Sequence, residues 1–267
     1  MSHISLIDIE RETFRNSIVH RLDGRVKLLF MVGMILFAVS LPRFEELTLW
    51  RLAVVEVYLF LIILLAGLNL YFAAVRYAVL LPFGLAIAAF QPFLRQGFVK
   101  EFTVHSLPIG LSWTDEGLLF GAILFAKFTV SVTAVILFSS TTPMTEMVES
   151  ARRLGLPKEF ALLLTMMIRY LFVFWGVLRR LRNAQASRCF DIWNRNVSRR
   201  WTLSQLAHAV NSLFIRSYEQ GERTYQSMLS RGYDYAADIY VHRKQIRGQE
   251  AAFAVVSAAV VVGAGMM

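Results

Sequence analysis

Five stretches of this chain, 28–41, 52–68, 77–94, 117–138 and 251–267, run for fourteen to twenty-two residues with at most one charge each. A helix that crosses a bilayer needs about 20 mostly apolar residues, within a range of roughly 17–25. The first stretch is short, but it extends backwards past Lys27, whose aliphatic stem can lie along apolar surface. Only Glu56 interrupts the second and only Lys127 the fourth, while the third contains Pro82 and Pro92. A sixth apolar run, 160–178, contains Arg169 and continues into a polar helical tail, so it reads either as a span or as a helix leaving buried surroundings for water. Of the 267 residues, 56% are hydrophobic and 18% charged. A soluble domain carries about a quarter charged residues, and disorder needs low hydrophobicity, so both classes are excluded.

Charge then sets orientation. The net charge is +9, and residues 139–249 hold seventeen Lys and Arg against eight Asp and Glu, which is the whole of that excess. Residues 1–27 add Arg11, Arg15, Arg21, Arg25 and Lys27. The connection 42–51 sets Arg43 and Arg51 beside Glu45 and Glu46, and 95–116 carries Arg95 and Lys100. By the positive-inside rule the N-terminus and 139–249 are cytoplasmic, with four spans between them and a fifth leaving the C-terminus outside. The expected organisation is a cytoplasmic N-terminal segment (1–27), a four-helix transmembrane region (28–138), a cytoplasmic region (139–249) and a last transmembrane helix (250–267). Asp8, Glu10 and Glu12 and the lack of an A-x-A-like site argue against a cleavable signal peptide.

The cytoplasmic region is too long for a plain loop. Thr142 with Pro143 reads as N-cap and first residue of a helix over 144–154, carrying Glu146, Glu149, Arg152 and Arg153 and ending at Gly155. A second helix opens after Leu156-Pro157 and runs to about Arg188. After a basic connection over 194–200, a third runs over 201–231 with apolar positions at Leu203, Leu206, Ala207, Val210, Leu213, Phe214, Tyr225, Met228 and Leu229. That spacing makes an amphipathic stripe suited to a bilayer, a neighbouring helix or a partner subunit. Glu219 and Arg223 face each other at i, i+4.

The two long helices end alike. Ser187-Arg188-Cys189-Phe190-Asp191 and Ser230-Arg231-Gly232-Tyr233-Asp234 both read small residue, Arg, small residue, aromatic, Asp. Arginine near a helix C-terminus favours the macrodipole by about 0.3–1 kcal/mol, which would account for one such ending. Two point to a paired docking device, in which a guanidinium on a rigid tip takes a partner's carboxylate bidentately.

These features together are similar to the transmembrane coupling subunit of energy-coupling factor (ECF) transporters, the CbiQ/EcfT family, and most to its cobalt branch. The resemblance rests on His20-Arg21-Leu22-Asp23-Gly24-Arg25-Val26-Lys27 (a D-x-R-x-K signature), on Leu154-Gly155-Leu156-Pro157 followed by Ile168-Arg169-Tyr170, on the two helix ends, and on the run Phe214 to Asp234. It covers about residues 20–235. It implies an all-α integral membrane protein with about five transmembrane helices and three cytoplasmic-side coupling helices, the two long ones crossing. Its implied partners are two ABC-type ATPase subunits, a membrane-embedded substrate-binding subunit and the bilayer, and its place is the inner (plasma) membrane. Residues Ser187, Arg188, Cys189, Ser230, Arg231 and Gly232 would couple to the ATPases, and the apolar stripe at Leu206, Val210 and Leu213 would hold the substrate-binding subunit. Asp23, Arg25 and Lys27 would either anchor the chain at the interface or form ion pairs tying the N-terminus to the coupling helices. Cys189 stands where the family has Gly, which removes the easy left-handed termination there.

No chemistry of its own is expected. There is no G-x-x-x-x-G-K-[ST] motif, so ATP and Mg belong to the partners. One Cys excludes a disulfide framework, and no two of His3, His20, His105, His208 and His242 stand at i, i+3 or i, i+4. The implied function is coupling in a cobalt importer, feeding cobalamin biosynthesis. The alternatives are the same role in a nickel or vitamin system, or a membrane-embedded enzyme, which would need clustered acids that are scattered here. Nucleic-acid binding lacks a recognition motif. Glu56, Lys127 and Arg169 are candidates as charges within spans, a buried Lys127–Glu56 pair standing beside a transport role.

Overall fold

A charge inside an apolar run does not end a helix when its side chain finds a partner, and this decides where the helices of this protein begin. The computed structural model describes residues 17, 19–42, 45–93, 104–106, 112–191, 197–234 and 248–266. Asp8, Glu10, Glu12, Arg11, Arg15, Arg43, Arg95, Lys100, Arg195, His3 and His242 lie outside the described residues. The helices are α1 (Gly24–Ser40), α2 (Glu46–Leu65), α3 (Leu70–Phe90), α4 (Asp115–Thr141), α5 (Met144–Arg153), α6 (Lys158–Ala186), α7 (Arg199–Ser230) and α8 (Gly248–Met266). A 3-10 turn, Gln91–Phe93, continues α3. Two short strands, β1 (Val104–Ser106) and β2 (Ser112–Thr114), pair antiparallel with His105 opposite Trp113. The protein is an all-α membrane protein with this one small hairpin.

By packing, the chain divides into two compact units, one of residues up to Leu154 and from Arg243 onward, the other Gly155–His242. In the first, α4 is the central helix, with α1, α2 and α3 against it, α8 on α1 and α2, and α5 on α1. The core is built from Met34, Ala38, Leu52, Val55, Leu59, Val130 and Ala134. The outward residues of the same helices, among them Leu36, Val57, Leu65, Phe83 and Val255, are apolar and exposed. A spanning helix should present such a surface to lipid. A β-carbon at Gly84 would lie 2.3 Å from the Phe128 ring, and one at Gly121 2.7 Å from the Ala88 carbonyl oxygen. Small residues thus let α3 and α4 approach closely, the usual basis of helix association in membranes.

Polar ties join these helices. Thr133 Oγ1 donates to Glu56 Oε1 (2.7 Å), Arg76 Nη1 to Ser140 Oγ (2.8 Å), and the Tyr58 and Ser257 hydroxyls lie 2.9 Å apart. Lys127 Nζ donates to the carbonyls of Val39 (3.2 Å) and Leu41 (2.6 Å). Glu56 is therefore held by Thr133 and is not the ion-pair partner of Lys127. These partners explain why the helices outrun the apolar stretches. Arg76 sits within α3, which starts near residue 70 rather than 77, and α2 starts at Glu46, so Arg51 lies inside it. Residues 66–68 form a turn instead of ending the helix at Leu68, with Gly67 at φ +62°.

In the second unit α6 and α7 touch through the Tyr170 and Thr224 hydroxyls (2.5 Å) and through the rings of Phe190 and Trp201, 5.6 Å apart. None of the 32 residues of α7 is buried. The helix Lys158–Ala186 is continuous, and with α2, α3, α4 and α8 it is, among the described residues, one of five helices long and apolar enough to cross a membrane. At 17 residues α1 stands at the lower edge of spanning length. The hydropathy boundary at 139 and the packing boundary at 155 differ because α5, though polar, packs on α1.

One cap moved. The N-cap of α5 is Pro143, with no side-chain bond, and the Thr142 hydroxyl is buried without a partner. Helix α4 runs on to Thr141, so only two residues separate the helices and Thr142 cannot swing out to cap.

Orientation is testable at the start of α7. With Cys189→Ser as background, Arg199→Cys is expected to resist a membrane-impermeant maleimide in intact cells and to label after permeabilisation. Labelling from outside would overturn the cytoplasmic placement of 139–249.

Candidate functional site

The N-terminus of α1 leaves backbone N–H groups without helical partners, and it is the point where three elements of the first unit converge. Asp23 caps it, Oδ1 accepting from the Arg25 amide at 3.0 Å. The Asp23 amide donates to Glu250 Oε1 at the start of α8 (3.0 Å), and the Gly24 amide to Glu146 Oε1 of α5 (3.3 Å). Three carboxylates thus gather at the positive end of one helix dipole, where negative charge is favoured. Cations answer them. Asp23 Oδ2 lies 3.6 Å from Arg25 Nε and 3.9 Å from Arg153 of α5. Arg153 also binds Glu149 one turn back. Asp23, Lys27 and Glu250 are 3–4% exposed, so this network is inside the protein.

Gly24 is needed for the contact. A β-carbon there would stand 2.4 Å from Ser150 Oγ and 3.1 Å from the Glu146 side chain. One turn on, Lys27 Nζ donates to the carbonyls of His20 (3.1 Å) and Thr141 (2.9 Å). The D-x-R-x-K segment therefore binds α1 to the end of α4, to the short helix α5 and to α8. Asp23 thus lies beside Arg25 and Arg153 of α5, and Lys27 is held by two carbonyls. Glu250 and Thr141 gave no signal beforehand. A lone acid at the start of an apolar run and a helix-terminal carbonyl look ordinary until the fold joins them.

The second constellation belongs to the other unit. At the end of α6 the amides of Arg188 and Cys189 donate to Gln185 and Ala186, and Phe190 to Gln185, all at 3.0 Å. At the end of α7 the amides of Arg231 and Gly232 donate to Met228 and Leu229, and Tyr233 to Met228, at 3.0–3.1 Å. The last bond of each set spans five residues, as in a Schellman ending. Ser187 Oγ and Ser230 Oγ each donate to the carbonyl three residues back, at 3.0 Å. The two ends thus match bond for bond. Cys189, at φ +58°, takes the left-handed conformation that Gly232 takes at φ +76°. It is the one non-glycine residue with positive φ among the described residues. Arg188 and Arg231 are both exposed.

Phe190 packs on Trp201 at the beginning of α7, and Arg231 closes its end. At 1.5 Å per residue, the thirty residues between Trp201 and Arg231 set the two arginines roughly 45 Å apart. Along α7 the structure divides the predicted stripe. Leu206 and Leu213 are half-buried, while Val210 is exposed in line with Leu203, Phe214, Tyr218 and Tyr225. Arg169 is exposed on α6 beside Tyr170, and His208 is exposed on α7. Among the described residues no group of three His, Cys, Asp or Glu side chains is placed to hold a metal ion.

Comparison with known proteins adds the following. The profile of the CbiQ family, described as cobalt transport protein, matches residues 15–240. An uncharacterised protein of Methanocaldococcus jannaschii is 25% identical over 226 residues, 85% of this chain and 80% of that one. A protein of Thermosediminibacter oceani named energy-coupling factor transporter transmembrane protein EcfT is 25% identical over 228 residues, 82% of this chain and 81% of its own. A putative fused cobalt transport protein CbiMQ of Methanocorpusculum labreanum is 30% identical over 122 residues, 45% of this chain and 19% of its own length.

The buried network can be tested by stability. Lys27→Met strands two carbonyls and leaves nearby acids less balanced. Each stranded buried group costs about 1–3 kcal/mol, so the detergent-solubilised protein should melt several degrees lower. Arg25→Ala, whose side chain is 27% exposed, should cost much less. Equal small shifts for both would mean that the segment is only an interfacial anchor.

Proposed function

The chain belongs to the CbiQ family of cobalt transport proteins, and on that premise we propose that it couples ATP hydrolysis in partner subunits to cobalt uptake. At the coarser level it is the multi-pass transmembrane component of an ECF-type transporter. The finer reading assigns Arg188 and Arg231 to two ABC-type ATPase subunits and the apolar face of α7 to a membrane-embedded substrate-binding subunit. This chain then does no catalysis, and ATP and Mg are held by the ATPases.

The observation that carries the reading is the pair of matching helix ends. A capping role needs no such match, since Arg near any helix end satisfies the dipole. Two exposed guanidiniums on rigid tips, roughly 45 Å apart by helix rise, suit two like receptors that move relative to each other. The shared Ser-Arg-X-aromatic-Asp frame suits the same pocket being offered twice. Cobalt as the cargo is supported by the description of the family. The same geometry would serve a nickel or vitamin importer, because a coupling subunit need not touch the cargo.

The arginines give the decisive test. Truncating one partner of a desolvated charge pair costs about 2–5 kcal/mol. Arg188→Ala and Arg231→Ala should each weaken ATPase retention on affinity purification and abolish uptake of labelled cobalt, and the double variant should lose the ATPases. Lys should rescue poorly because it lacks the bidentate fork. Normal uptake by the double Ala variant would remove the coupling role.

The face of α7 gives another. Val210→Asp places a charge in the exposed apolar line and should release the substrate-binding subunit while the ATPases stay. Leu206→Asp and Leu213→Asp, at half-buried positions, should also loosen the helix itself. Retention of every partner at wild-type level in all three variants would show that α7 is not that interface.

A further inference from the structure

Helices α2, α3 and α4 enclose a cavity of about 490 Å³ that the coupling role does not use. Its wall is apolar except for Glu56, Thr133 and Tyr77, and none of its lining residues is basic. The volume falls within the roughly 300–1,000 Å³ of small-molecule sites. Ala74 and Ala78, one turn apart on α3, and Phe60 on α2 are exposed, so it opens sideways, toward lipid in a bilayer.

Glu56 is near the middle of α2, ten residues past its start. Its Oε1 meets the Thr133 hydroxyl at 2.7 Å, but that hydroxyl also lies 3.0 Å from the Thr129 carbonyl and has one proton to give. Oε2 is buried and has no hydrogen-bond partner. The Tyr77 hydroxyl lies close to Thr129 and within electrostatic reach of Glu56. An acceptor with no donor, on a residue that lines an otherwise apolar cavity, costs free energy unless something supplies the donor. Carboxyl groups inside membranes persist where they have a use.

We propose that this cavity binds a lipophilic amine, its alkyl body along Phe60, Ala74 and Ala78 and its nitrogen donating to Glu56 Oε2. Charge complementarity selects the class. A single carboxylate in a lining that holds no basic residue attracts a donor or a positive head and repels a carboxylate or phosphate. A bare metal ion would require more oxygen ligands than Glu56, Thr133 and Tyr77 provide. The amine partitions through the bilayer in its neutral form, reaches the side opening and shares a proton with the carboxyl group.

The test uses the full chain in phosphatidylcholine nanodiscs, with tritiated octylamine in equilibrium dialysis against empty discs. One saturable site is expected, displaced by unlabelled octylamine and not by octanoate, with octanol binding at least tenfold more weakly. Glu56→Gln should weaken octylamine at least tenfold and leave octanol unchanged, and Ala78→Phe should remove both. No saturable binding above empty discs, or octanol binding as tightly as octylamine, overturns the proposal on the wild-type protein alone. Unchanged octylamine affinity in folded Glu56→Gln overturns it as well.

Discussion

Two lysines close the ends of each other's helices, and the first unit depends on it. Helix α4 ends at Thr141 and α1 at Ser40, and each is followed within two residues by a proline, Pro143 and Pro42. Proline has no N–H, so neither end can finish with the usual backbone bonds to its last carbonyls. Thr141 and Leu41 are buried, so water does not serve them either. Lys27, in the first turn of α1, donates to Thr141, and Lys127, midway along α4, donates to Val39 and Leu41. The caps are reciprocal, so they set α1 against α4 in one direction and one register. Every other helix of the unit then packs on this pair or on α2.

A different economy governs the helix tips. Cys189 in the left-handed region costs about 1–2 kcal/mol that glycine would not. The cost is accepted where Phe190 bonds back to Gln185 and packs on Trp201. The ending has the same geometry as the glycine-closed end of α7 without a glycine. That separates the shape of the tip from the identity of one residue.

Much of this was legible in the sequence. Missing charge located α1, α2, α3, α4 and α8, periodicity located α7, and the paired endings stood out by repetition. What could not be read were partners made by the fold. Arg76 looks like the border of a span until Ser140 is seen to accept it, so α3 begins earlier than hydropathy allows. Glu250 lies 227 residues from Asp23, and no local pattern announces that bond. Thr142 is a sound N-cap by type, but the tight joint after α4 gives the position to Pro143. The small hairpin escaped because three-residue strands leave no period to detect. Spacing alone groups Val210 with Leu206 and Leu213, and spacing marks a helix face without saying what covers it.

That last ambiguity separates the two units physically. The first has buried apolar residues on several helices and polar bonds between them, so its own contacts can hold it. The second has two long helices, with Tyr170–Thr224 and Phe190–Trp201 between them and no buried residue on α7. Intrinsic propensity makes isolated helices marginal, and proteins stabilise them by burying an apolar face. On α7 that face is present, with Val210 and Phe214 more than 60% exposed. Among the described residues this apolar row is left uncovered, which is the character of an interaction surface rather than of a core. The burial that would stabilise α7 is thus not found among the described contacts of its own unit, whereas the first unit carries its core within itself.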